Sequence, residues 1–185
     1  AFALQNAFEV NYEPAPELMV ALLNIGASIM NINIVRGGVP LFTRDVSVGG
    51  NQYTDTLQKE LDLSYEDAEK LKQGQEVGNV APDAKTPHIR SVSEILLLEI
   101  QKTFDFFRQT TTTENIQQIY VAGGTARIEG LLDLLKEEFN IPVEVMNPFR
   151  KIEFNPSKFD PNYINDIGPR MNVAVGLALR SFDTP

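Results

Sequence analysis

Apolar and polar positions change period several times along the chain, and each change marks an element. Phe2, Ala3, Ala7 and Val10 recur near helical spacing with Leu4 and Phe8 beside them, so residues 1–10 read as a helix. Prolines at 14 and 16 make Asn11 to Pro16 a loop. Leu18 to Ile25 is almost wholly apolar, as in a strand covered on both faces. Asn24-Ile25-Gly26-Ala27 breaks that run. Ile29 to Arg36 then alternates, with Ile32 and Ile34 on one side and Asn31 and Asn33 on the other. Gly37-Gly38 is a hairpin signal, because both centres of a type I′ turn need positive φ. Val39 to Val48 completes a meander of three antiparallel strands. Pro40 belongs at an edge or a strand start, since it cannot donate to the ladder.

The period then becomes helical. Gly49-Gly50 forms a joint, and Asn51 is placed to cap a helix running to about Leu61. Ser64 caps a second helix, Tyr65 to Lys72, with Asp67 three residues on in capping-box style and Gly74 as its stop. Residues 75–88 hold two prolines and few apolar side chains, and read as a mobile surface loop. Ser91 to about Gln109 is a strong helix, with Ile95, Leu96, Leu98, Ile100, Phe104 and Phe107 as core candidates. The Thr110–Thr113 run ends it. A βαβ unit follows: strand Ile116–Ala122, turn Gly123-Gly124, a helix stripe of Ile128, Leu131, Leu132, Leu135 and Phe139, and strand Val143–Met146. A right-handed crossover makes those two strands parallel. Residues 147–169, with four prolines, read as irregular, and Met171 to Ser181 as a closing helix of small residues.

Composition narrows the chemistry. The 185 residues contain no Cys, no Trp and one His, so disulfides, thiol catalysis, Cys-based zinc and multi-histidine metal sites are excluded. His88 reads as an exposed loop residue. The 16 Lys and Arg face 25 Asp and Glu, a net charge of -9 that argues against nonspecific nucleic-acid binding. An apolar share of 43% supports a packed core. No run approaches the roughly 18 apolar residues of a membrane span, and no signal peptide is visible. A missing Cys fits a reducing compartment. The chain opens at Ala1 within an apolar-rich run, and we expect it to be part of a longer protein.

Six of the twelve glycines come as pairs. Gly37-Gly38 is explained by its hairpin. Gly49-Gly50 and Gly123-Gly124 stand at strand-to-helix transitions, where backbone N–H groups and a helix N-terminus can face an anion. Tight βα turns require glycine in any case, so each pair alone also has a purely structural explanation. No GxxxxGK[ST] run is present and no GxGxxG follows a strand, which excludes a P-loop and a Rossmann fingerprint.

The order of these motifs resembles the second half of the actin-like ATPase superfamily. Asn24-Ile25-Gly26-Ala27 opens the meander, Gly49-Gly50 opens a helix, and Ala68-Glu69-Lys70-Leu71-Lys72 and Gly123-Gly124-Thr125-Ala126 follow. The blocks LLNIGASIMNINIVRGGVPLFTRDVSVGGNQYTDTLQKEL, IYVAGGTARIEGL and GPRMNVAVGLALRSF are similar to the PilM family of type IV pilus assembly, itself related to the cell-division actin homologue FtsA. The likeness covers nearly the whole chain. It implies an α/β ribonuclease H-like domain: a mixed sheet with a three-stranded meander and flanking helices. Residues 1–17 would be an interdomain helix and loop, 18–185 the second domain, and about 51–115 its smaller subdomain.

The resemblance further implies ATP with Mg2+ as ligand. Asn24, Gly26, Ala27 and Ser28 would form the second phosphate motif, with Gly49 and Gly50 beside it. Glu69 would reach the ribose hydroxyls and the Lys72 stem would cover the base. Gly123, Gly124, Thr125 and Arg127 would form the adenosine motif. Glu69 and Lys72 share a helix face, although a solvated face explains them equally well, since seven acids lie between Asp55 and Glu76. The superfamily usually has Asp where this chain has Asn24. An amide is no base and brings no charge to magnesium, so we expect slow or absent hydrolysis, with Asn24 touching the metal only through water. The first phosphate motif would lie upstream of Ala1, as would the docking site for the N-terminal cytoplasmic peptide of PilN. The isolated chain should then bind ATP weakly. The implied role is a cytoplasmic scaffold reaching the inner membrane through partners, without nucleic acid. A small-molecule kinase of the same superfold, or a structural module with a vestigial nucleotide site, are the alternatives.

Overall fold

The computed structural model describes residues 1–78, 80–81, 83–110 and 115–179. Helix α1 spans Phe2–Tyr12, and strands β1 Met19–Ile25, β2 Met30–Arg36 and β3 Val39–Val46 form the expected meander. Helices α2 Asn51–Leu61, α3 Tyr65–Lys72 and α4 Thr86–Thr110 come next. Strand β4 Gln118–Ala122, a 3₁₀ turn Gly124–Arg127, α5 Leu131–Phe139, β5 Val143–Val145 and α6 Pro161–Ala178 complete the order. The sheet runs β3-β2-β1-β4-β5, antiparallel through β1 and parallel beyond it.

The two-sided burial expected of β1 follows from the layers. Ala21, Leu23 and Ile25 face a core shared with α2, α4 and α5, including Tyr53, Leu57, Leu96, Ile100, Leu131 and Leu135. Val20 and Leu22 face Leu4, Ala7 and Phe8 of α1. Gly37 and Gly38 both have positive φ, as the type I′ turn demands. Pro40 sits on the edge strand opposite Val35, at a bulge that admits Leu41 as the extra residue. The alternation in β2 does not leave its polar side in water. Asn33 is only 1% exposed and donates to Gln5 of α1 at 3.5 Å.

Several boundaries differ from the expectations above. Asn51 is the first residue of α2 and not its cap; Gly50 holds that place, and the Asn51 side chain donates to Ser28 Oγ at 3.1 Å. Helix α4 begins at Thr86, so His88 lies in a helix, partly buried, and the loop ends before it. Ile95 and Leu98 are 46% and 49% exposed. The inward line runs Ile89, Val92, Leu96, Ile100, Phe104 and Phe107, with Leu97 also buried. The apolar run Ile95–Leu98 carries no period of its own, so the inward face had to be set by Ile89 and Val92, which lie partly outside the expected helix. Ile128 precedes α5, because a 3₁₀ turn opens the crossover. Helix α6 starts ten residues before Met171, capped by Asp160, which accepts from Asn162 N at 2.9 Å, and it continues through Pro169. Thr111–Thr113 and Ser181 lie outside the described residues. The small residues of α6 do permit close packing: a Cβ on Gly176 would lie 1.6 Å from the Ala3 carbonyl oxygen of α1.

One buried polar contact ties α2 to α4. Tyr53 and Ser93 hydroxyls lie 2.9 Å apart. Burial pushes the Tyr53 hydroxyl up to about 12 from 10.0, against the pull of the Ser93 bond. A raised folded value means that the neutral form is the one the fold stabilises. That stability is present below pH 10 and is lost as pH rises through the folded value. At neutral pH the parent should exceed Tyr53→Phe by about 1 kcal/mol. Their order should reverse between pH 10 and 12, as read by urea denaturation. An unchanged order through that range would contradict this.

Candidate functional site

Three turns meet at the carboxyl end of β1 and are stitched together through its carbonyls. Gly26 O accepts from Gly50 N at 2.9 Å and from Thr125 Oγ1 at 3.1 Å, and Ala27 O accepts from Asn51 N at 2.7 Å. The Gly26 amide closes its own turn on Ile29 O, 3.0 Å away. The amides of Ala27, Ser28, Gly124 and Thr125 have no protein acceptor among the described residues. These four N–H groups are among those left for an anion.

The glycines now separate by cause. A Cβ on Gly49 would stand 2.6 Å from the carbonyl oxygens of both Gly26 and Ala27, and one on Gly50 2.8 Å from Thr125 Oγ1. Gly123 has φ +91 and its Cβ would meet Ile25 O at 2.3 Å. These three are required by turn-on-turn packing. Gly124 is different. Its Cβ would touch only the flexible Arg170 side chain at 3.6 Å, without positive φ. The fold does not demand glycine there.

Around these turns lies a cavity of about 950 Å³. Eight of the residues implicated by the sequence line it: Gly26, Ala27, Gly50, Glu69, Lys72, Gly124, Thr125 and Arg127. Gly49 and Gly123 sit behind the lining as packing glycines. Ser28 lies outside it, exposed and bonded to Asn51. Asn24 is also outside. Its carboxamide donates to Asn31 Oδ1 at 3.1 Å, and Asn31 donates to Asp45 Oδ1 at 2.8 Å, a polar rung across β1, β2 and β3. Among the described residues no group of three or more His, Cys, Asp or Glu side chains is placed to hold a metal ion.

Ser64 caps α3 as expected, accepting from Asp67 N at 3.1 Å, and so fixes the helix that carries Glu69 and Lys72 to the wall. Lys72 Nζ pairs with Glu69, donates to Thr54 Oγ1 at 2.8 Å, and reaches Gly50 O at 3.4 Å. Thr54 also donates to Glu69. Partial burial pushes the Glu69 carboxyl up, but the hydrogen bonds from Lys72 and Thr54 outweigh it and hold the carboxyl below its usual value.

The opposite wall comes from α6. Arg127 pairs with Asp166 and donates through Nη2 to the Asn165 carbonyl at 3.3 Å. Arg170 Nη2 lies 3.8 Å from the other Asp166 oxygen. Sequence reasoning missed Asn165, Asp166, Pro169 and Arg170, all lining residues, because residues 147–169, with their four prolines, read as irregular. An Asp160 cap followed by Pro161 was the signal that a helix begins earlier. The charged side chains on the lining are Lys72, Arg127 and Arg170 against Glu69 and Asp166. A locally cationic cavity in a chain of net charge -9 favours an anionic ligand.

Comparisons with known proteins agree on the fold. A chain of a PilM-PilN type IV pilus biogenesis complex superposes with a TM-score of 0.83 at 26% identity, covering 97% of this chain and 51% of that one. The cell division protein FtsA of Helicobacter pylori strain J99 is 26% identical over 188 residues, 88% of this chain and 37% of FtsA. MreB 5 of Spiroplasma citri, solved bound to AMPPNP, has a TM-score of 0.62 at 15% identity, covering 96% of this chain and 57% of MreB 5, and shares the fold. The chain thus has an actin-like fold and spans only about a third to a half of the FtsA and PilM-PilN chains it resembles. The family model for the type IV pilus assembly protein PilM matches residues 1–182, and the chain belongs to that family.

Proposed function

We propose that this chain is the ATP-binding second domain of a type IV pilus scaffold that links cytoplasmic components to the inner-membrane platform. One observation carries the reading. Residues from five separated stretches, Gly26-Ala27, Gly50, Glu69 with Lys72, Gly124 to Arg127 and Asn165 to Arg170, converge on one cavity with a cationic lining. The free amide of Ala27 takes a phosphate, and those of Gly124 and Thr125 the α-phosphate side. Glu69 takes the ribose hydroxyls, and the Lys72 stem and Arg127 border the base. The chain spans only part of the relatives it resembles, and the rest of the actin-like fold would supply a further wall beyond the α3 and α6 sides. We expect the chain alone to bind ATP weakly. The N-terminal cytoplasmic peptide of PilN would dock on that other part, and contact with the membrane would run through such partners. Among the described residues no helix is long and apolar enough to cross a membrane.

Magnesium would come with the nucleotide, held by phosphate oxygens and water. The Asn24 amide is committed to Asn31 and does not fit a protein-held metal site. Slow or absent hydrolysis follows from the lack of a carboxylate at position 24. Asn24→Asp should raise ATP turnover in the full-length protein. It should also cost about 1 kcal/mol, because the carboxylate cannot donate to Asn31. Phosphate-release assays and urea titrations measure the two effects. Turnover unchanged by the substitution would sink the role given to Asn24. The reading as a whole is tested by calorimetric ATP titration of the chain and of the full-length protein. Weak or no heat with the first and clear binding with the second is expected. No binding to either would overturn it.

A further inference from the structure

Pro169 stands inside α6, where proline is costly, and the hydrogen bonds around it point to a use. Proline has no N–H, so in a helix the carbonyl four residues earlier loses its donor. Here that carbonyl is Asn165 O. The pyrrolidine ring also crowds it and turns it outward. Asn165 O is the acceptor that Arg127 Nη2 reaches at 3.3 Å. The Pro169 carbonyl in turn accepts from Gly123 N at 2.7 Å. Helix α6 therefore grips both ends of the Gly123–Arg127 turn with two carbonyls, one of them freed by the proline. Asp166 holds a second edge of the same guanidinium.

We infer that Pro169 is a positioning residue for nucleotide binding: it dedicates the Asn165 carbonyl to Arg127 and so holds the guanidinium still on the cavity wall. The inference rests on the nucleotide reading above but makes a separate statement about Arg127. A guanidinium with both ends engaged binds at lower entropic cost than one that must be ordered by the ligand. With Ala at 169 the helix regains its donor, Asn165 O turns back along the axis, and Arg127 keeps only Asp166.

Two measurements on the full-length protein and its Pro169→Ala variant test this. The first is rotation of the Arg127 guanidinium by NMR without nucleotide, assigned through Arg127→Lys. The second is calorimetric ATP affinity. We expect faster rotation in Pro169→Ala, a thermal midpoint equal to or above the parent's, and roughly five- to tenfold weaker ATP binding. In an Arg127→Ala background Pro169→Ala should leave ATP affinity unchanged. Unaltered rotation overturns the positioning claim whatever ATP does. Faster rotation with unaltered affinity overturns its role in binding. A weaker affinity that persists without Arg127 assigns the proline to helix shape alone and also overturns it. If the parent binds no ATP, the nucleotide reading falls, and the rotation measurement still decides whether Pro169 holds Arg127.

Discussion

Gly123→Ala is expected to destabilise the domain by about 3 kcal/mol or more. Two costs add. The backbone at this residue has φ +91, where a side chain is strained. The new Cβ would meet the Ile25 carbonyl oxygen at 2.3 Å, and that atom belongs to β1, the most buried strand of the sheet. Neither partner can move cheaply, because Gly123 N is also tied to Pro169 O at 2.7 Å. A native domain has only about 5–15 kcal/mol to lose. The urea midpoint should fall sharply, and ATP binding with it. A midpoint near that of the parent would contradict the packing described for this turn.

The same pair of glycines shows what could and could not be read from the amino-acid order. Gly123-Gly124 marked a strand-to-helix turn without saying which of the two glycines the fold requires. That distinction needs the position of Ile25 O against one Cβ and of the Arg170 stem against the other. Local chemistry was legible where it is local: the Gly37-Gly38 hairpin, the Ser64 cap and the two-sided burial of β1. The α4 face was not, since four successive apolar residues have no period until the sheet beneath selects Leu96 and Leu97. Pro169 hid half of α6, because the compensation for its missing N–H comes from Arg127, 42 positions earlier in the chain. The eight cavity-lining residues were reached through the order of motifs. The Asn24–Asn31–Asp45 rung was not, because side-chain register across three strands decides it.

Gly124→Val is the second large effect, and it falls on binding. The fold leaves room at this position, so stability should stay within about 1 kcal/mol of the parent. The isopropyl group would stand on the cavity wall beside the free Gly124 and Thr125 amides and against the Arg170 stem. A ligand whose phosphate approaches those amides meets it directly. We expect ATP affinity to fall by about a hundredfold, ~3 kcal/mol, as for overpacking of a close contact. Gly123→Ala and Gly124→Val thus form a contrast between adjacent glycines: one is needed by the chain, and on the proposed nucleotide reading the other is needed by the ligand.

That contrast gives the most direct test of the claim that this cavity is a nucleotide site. Calorimetric ATP titration of the full-length protein and of its Gly124→Val variant, each shown by urea denaturation to be folded, should give clear binding to the first and about a hundredfold weaker binding to the second. Equal affinity in the two folded proteins would contradict the account and place the nucleotide elsewhere.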